Sequence, residues 1–139
     1  MTFWLVKSEP SSWSWQQHLE KGVEAWNGVR NFQAAQNLKA MKLGDRAFFY
    51  HSNEGKEIVG IVEVVREYYP DPTDASGRFG MVDFRAVSPL ARPVGLAEIK
   101  ADPKLRDMAL VRLSRLSVQP VTPEEWAYIC DLGGVEKGG

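Results

Sequence analysis

Six consecutive residues, Trp26-Asn27-Gly28-Val29-Arg30-Asn31, bring an indole plane, two carboxamides, a guanidinium and a glycine into one short stretch. An aromatic face attracts any base-like ring by stacking, and Asn and Arg present planar arrays of donors and acceptors that match the edge of a heterocycle. The chemistry open to such a cluster is recognition of a flat, polar ligand. The same residues also fit a packed loop anchored by a buried Trp, because Asn-Gly is ordinary turn chemistry.

Three further groups could join it. Lys7, Ser8 and Glu9 stand where an apolar run meets Pro10, and they read either as polar groups at a cavity rim or as a surface ion pair at a strand end. In Tyr50-His51-Ser52, strand alternation puts Tyr50 and Ser52 on one side and His51 on the other, making Ser52 a pocket residue and His51 a structural one. Arg115-Leu116-Ser117 belongs to a later strand that could bring Ser117 to the same cavity. In this arrangement Trp26 stacks on the ligand, and Ser8, Asn31 and Ser52 meet its edge. Lys7 and Arg30 hold a flanking phosphate or a carbonyl.

An enzyme is the competing class. Ser8, Ser52 and His51 could be assembled on paper into a small hydrolase, but neither serine sits in a Gly-x-Ser-x-Gly elbow that would activate its hydroxyl. His18, His51 and Cys130 are too few for a zinc deaminase, and a single cysteine forms no internal disulfide. Binding without catalysis, metal or cofactor is the expectation, with Cys130 a buried, inert thiol.

The elements that must position these groups are legible in outline. Phe3–Lys7 reads as a strand stopped by Ser8-Glu9-Pro10. Ser14-Trp15-Gln16-Gln17 has capping-box form and Lys21-Gly22 closes a short helix. Asn31 caps a second helix carrying Phe32, Ala35, Leu38 and Met41 at helical spacing, so the candidate turn leads into a helix N-terminus. Residues 46–52 and 58–65 form a hairpin around a glycine-containing loop, and Gly60 within it signals a bulge or a close approach by another backbone. Tyr69–Asp74 reads as loop, 81–87 as a strand ending at Ser88-Pro89, 96–100 and 103–108 as short helical stretches, and 116–121 as the last strand. Thr122-Pro123-Glu124-Glu125 caps a final helix. With no βαβ alternation, the expected class is α+β, a small, curved, partly closed mixed β-barrel with short helices between strands.

The totals bound the function. A chain of 139 residues with 44% hydrophobic and 25% charged residues has the size and composition of one globular domain. We expect a single domain over 1–139, ordered from about 3 to 132, and monomeric. The formal net charge of -1 argues against gripping a long run of phosphates, although Lys100, Lys104, Arg106, Arg112 and Arg115 suggest a mildly basic rim. The start, Met1 to Lys7, has neither the basic flank of a signal peptide nor the length of a membrane span, so a reducing, cytoplasmic setting and no membrane partner are expected.

Taken together, Trp4-Leu5-Val6-Lys7-Ser8-Glu9-Pro10, Trp26-Asn27-Gly28-Val29-Arg30-Asn31, Tyr50-His51-Ser52, Val59-Gly60-Ile61 and Arg115 to Val121 resemble the EVE domain family in order and spacing, from Phe3 to about Leu132. The resemblance implies a PUA-like fold and binding of a modified nucleobase in DNA or RNA. It carries family positions onto Lys7, Ser8, Glu9 and Pro10, onto Trp26, Val29, Arg30 and Asn31, and onto Tyr50, His51 and Ser52. A carrier of a free nucleoside or another small planar metabolite stays open as the alternative.

Overall fold

Alternation along Phe3–Ser8 sends Trp4 and Val6 to one apolar cluster and Leu5 to another, and the same parity in Arg46–His51 sends Ala47 and Phe49 one way and Phe48 and Tyr50 the other. One sheet therefore separates two cores. The structure, a computed structural model, describes residues 1–135. In chain order the elements are β1 (Phe3–Ser8), α1 (Trp15–Lys21), β2 (Val23–Ala25), α2 (Phe32–Ala40), β3 (Arg46–His51) and β4 (Glu57–Pro70). They continue with β5 (Gly80–Gly95), α3 (Leu96–Ala101), α4 (Ala109–Arg112), β6 (Val118–Val121) and α5 (Pro123–Leu132). Glu136 to Gly139 lie outside the described residues.

The six strands form one mixed sheet in the order β2-β5-β4-β3-β1-β6. Only β1 and β3 run parallel; the other neighbours are antiparallel. The sheet does not close, since β2 and β6 stand at its two ends. Short helices between strands complete the α+β arrangement. In the first core Trp15, Trp26, Phe49 and Phe84 pack mostly edge to face, while in the second Trp126 stacks on Phe48 at 3.9 Å and on Phe3 at 4.5 Å.

The helix starts follow the local sequence. Ser14 and Gln17 make a reciprocal capping box on α1, Asn31 accepts from the Ala34 amide at the start of α2, and Thr122 and Glu125 cap α5 with Pro123 in the first turn.

The strand ends depart from the sequence reading. β4 runs on through Tyr69 to Pro70, and β5 passes Ser88, Pro89 and Pro93 to reach Gly95. Their pairing shifts register at four places, and Pro89 lies opposite Gly60 at one of them. A ladder already interrupted there tolerates a residue without an N–H, so proline does not end the strand. The three-residue strand β2 has no sequence signal of its own and exists by pairing with Asp83–Arg85. Helical structure near 103–108 is reduced to turns, and α4 begins only at Ala109.

Candidate functional site

A cavity of about 550 Å³ opens at the C-terminal end of β1. Its walls come from the Glu9–Trp13 turn, the Trp26–Asn31 segment and the residue before β6, Ser117. The turn is set by Ser12 and Trp13 amides donating to the Glu9 carbonyl, and the Ser8 hydroxyl donates to the Trp13 carbonyl at 2.5 Å. Ser8 thereby locks the segment that carries Trp13. The Lys7 amide donates to the Ser117 carbonyl and ties the two strand ends together.

Trp13 is the aromatic wall that the sequence reading missed. Its ring is half-buried, and its indole Nε1 donates to Nδ1 of His18 at 3.1 Å. His18 is fully buried, with its other nitrogen 2.9 Å from the Phe84 carbonyl. Burial pushes the His18 pKa down more than Phe84 and Glu24 raise it. The local clue was the capping box at Ser14, which fixes Trp13 just ahead of α1.

Trp26 lines the cavity but is almost wholly buried. Only 8% of its surface is exposed, and its ring is held edge-on by Phe49 at 5.6 Å and Phe84 at 5.5 Å. It is a core residue that also belongs to the cavity lining.

The loop from Asn27 to Arg30 has no regular hydrogen bonding and is held by Asp71. The carboxylate accepts from the Gly28 amide at 2.8 Å and from Arg30 Nη1 at 3.1 Å, and from the amide and hydroxyl of Thr73. Burial alone would raise its pKa; the bonds from Thr73, Gly28 and Arg30 outweigh it and hold the carboxyl at about 2. Gly28 adopts φ +80°, which glycine permits without strain. Arg30 is thus committed to Asp71 and Thr73 while its outer face lies over the Phe79 ring at 5.6 Å.

The expected site residues fall into two places. Lys7, Ser8, Glu9, Trp26, Arg30, Asn31 and Ser117 line the main cavity. Tyr50 and Ser52 do not; together with Lys7, Lys56 and Lys100 they line a second cavity of about 320 Å³. The physical reason is parity: Tyr50 pairs with Lys7 in the parallel ladder and faces the second core, while Trp13 and Trp26 belong to the first. His51 takes the opposite side, where Nε2 accepts from the Trp15 amide at 3.0 Å. Of the basic rim, Lys100 borders the second cavity and Arg112 and Arg115 border a third, of about 400 Å³, that Asn31 shares with the first. Lys104 and Arg106 line none of the three.

Two other expectations meet the structure here. The bulge expected at Gly60 is present, since the pairing with both β3 and β5 shifts register there, and the close approach comes from the Trp15 ring rather than a backbone: a Cβ at Gly60 would lie 2.6 Å from three ring atoms. Cys130 is buried, with its thiol pushed up to about 11 by burial and by Asp131. Among the described residues, no group of three His, Cys, Asp or Glu side chains could hold a metal ion.

The model of the EVE domain matches residues 2–132. Thymocyte nuclear protein 1 of Gallus gallus is 41% identical, covering 93% of this chain and 67% of its own, and the Homo sapiens protein is 36% identical, covering 93% and 72%. The NMR structure of Rpa0253 from Rhodopseudomonas palustris is 63% identical with a TM-score of 0.92, covering 96% of this chain and 94% of that one. A crystal structure of human THYN1 in complex with DNA containing 5-methylcytosine is 35% identical with a TM-score of 0.91, covering 98% and 99%. With its PUA-like sheet and a family match running from strand β1 to the end of helix α5, the chain belongs to the EVE domain family.

Proposed function

We propose that this protein binds, without catalysis, a modified nucleobase turned out of a nucleic acid strand into the main cavity. What carries the reading is the structural match to human THYN1 in complex with 5-methylcytosine DNA, over nearly the whole chain. The cavity supports it in size, since about 550 Å³ falls inside the roughly 300–1,000 Å³ common for small-ligand sites. Taking a base out of its stack costs about a few kcal/mol, which a snug pocket offsets by stacking and edge hydrogen bonds.

In this reading Trp13 supplies the stacking face and Trp26 the rigid back wall. Asn31 has committed its side-chain oxygen to Ala34 and keeps its amide N–H groups for the ligand. Lys7 donates to the Ser114 carbonyl at 2.7 Å and retains further donors. Glu9, exposed at the rim, makes no side-chain hydrogen bond among the described residues and can accept from an exocyclic amino group. One acceptor beside two donor groups complements the amino and acceptor edge of a cytosine. Hydrolysis finds less support: the Ser8 hydroxyl is bound to a carbonyl, and His51 is occupied by the Trp15 amide.

The test is a panel of short DNA and RNA strands carrying unmodified, 5-methylated and 5-hydroxymethylated cytosine, together with the free nucleosides. The expected result is a preference for one modified base that Trp13→Ala removes while the protein stays folded. Equal binding of every member by the folded protein would overturn the reading, and consumption of the ligand would show an enzyme.

A further inference from the structure

The second cavity has a composition unlike the first. Lys7, Lys56 and Lys100 line it together with Tyr50, Ser52 and Ser114, and among the described residues no carboxylate lines it. Three lysines lining about 320 Å³ give the cavity a positive character that suits an anion. Lys56 and Lys100 are exposed and make no ion pair among the described residues. A chain of net charge -1 has no surplus of cations to place there by chance of composition.

Lys7 connects this cavity with the main one. It lines both, because its β1 position faces Tyr50 across the ladder while its amino group reaches the Ser114 carbonyl at 2.7 Å. Only one of its three donors is used there. The Tyr50 hydroxyl, a neutral phenol whose pKa burial raises further, can donate to an anion.

We propose that the second cavity holds the phosphodiester adjoining the nucleotide whose base occupies the main cavity. Lysine is a compact charge suited to phosphate, and Ser52 and Tyr50 add neutral donors. The inference rests on the base-binding reading and sharpens it: the protein prefers a strand to a free nucleoside because only a strand fills both cavities. The backbone contribution is small, a single phosphate, consistent with a chain that cannot grip a long run of them.

The test compares the native protein with the Lys56→Gln/Lys100→Gln double variant, both side chains being exposed and outside either core. The ligands are 5-methyldeoxycytidine, its 3′- and 5′-monophosphates, and five-nucleotide single strands with a central 5-methylcytosine, a cytosine or an abasic site. Each is titrated at several salt concentrations, with unfolding curves to check that the variant is folded. The expected result is unchanged nucleoside affinity, roughly tenfold weaker strand binding, and a log affinity versus log salt slope shallower by about 0.7 for each phosphate lost. Strand affinity and slope equal to those of the native protein would overturn the phosphate site alone, if the preference for 5-methylcytosine persists. Loss of that preference in the native protein, with the lysine-dependent slope retained on the abasic strand, would overturn the base reading and leave the anion site standing. A monophosphate bound as tightly as the strand would overturn the strand assignment in favour of a mononucleotide.

Discussion

The indole Nε1 of Trp13 donates to Nδ1 of His18 across the first turn of α1. An indole N–H can only donate, so His18 carries its proton on Nε2 and gives it to the Phe84 carbonyl. A buried, neutral imidazole with both nitrogens engaged therefore ties the aromatic wall of the main cavity to strand β5. Its ring packs beside Trp15, Trp26 and Phe49, so the cavity wall and the first core share one set of contacts.

Trp13 and Trp26 separate binding from folding. Trp13→Ala should weaken binding of the preferred base by roughly 5- to 150-fold, the loss of about 1–3 kcal/mol of stacking. Trp26→Ala removes a side chain caged by Phe49 and Phe84 and should destabilise the fold by about 3–5 kcal/mol. Urea unfolding alongside ligand titration distinguishes them. A stable, non-binding Trp26→Ala protein would reverse the two assignments.

Acid should loosen the same wall. Burial lowers the pKa of both His18 and His51 in the folded protein, so each prefers to be neutral there. Their contribution is fully present above the unfolded value of about 6.5 and is lost as pH falls through the lowered folded values. A proton on Nδ1 of His18 would meet the Trp13 N–H, and one on Nε2 of His51 would meet the Trp15 amide. Thermal midpoints should be level above pH 7 and fall below about pH 6.5, with tryptophan fluorescence changing in the same range. A midpoint that rose on acidification would contradict the sign.

Asp71 is the anchor of the loop that forms the opposite wall. Asp71→Ala leaves the Gly28 amide and the Arg30 guanidinium without their shared acceptor and should destabilise by roughly 2–4 kcal/mol, less than a fully buried pair because Arg30 is partly exposed. Amide hydrogen exchange at Gly28 should accelerate with it. Unchanged protection would place the loop's stability elsewhere.

Gly60→Ala tests the packing under α1. The added methyl would stand 2.6 Å from the Trp15 ring, which is buried against Phe49 and His18 and has little room to turn. The expected cost is about 1–3 kcal/mol, measured by denaturant unfolding. The variant also carries a test of coupling, since a displaced Trp15 would shift His18 and weaken base binding. Stability within 0.5 kcal/mol of native, about the spread of ordinary surface substitutions, would show that Trp15 yields freely.

What the sequence determined by itself is local or periodic. The three side-chain caps at Ser14, Asn31 and Thr122 act within a span of three residues, so their letters suffice to start α1, α2 and α5. Alternation in β1 and β3 likewise assigns Tyr50 and His51 to opposite sides, because side-chain direction in a strand has a period of two. The residue types alone brought out the cluster from Trp26 to Asn31, and the spaced motifs brought out the family.

Only the tertiary structure decided which groups meet. Asp71 lies in a loop far along the chain from Gly28 and Arg30, and its local sequence shows no more than a turn with Thr73. Trp13 became a wall, and Trp26 a core residue, through His18 and the facing rings of Phe49 and Phe84, which no spacing rule places beside them. The alternation that correctly paired Tyr50 with Ser52 could not say which side of the sheet holds the main cavity. That depended on where α1 and the Trp26–Asn31 segment pack, a choice made by long-range burial of apolar surface rather than by any residue's immediate neighbours.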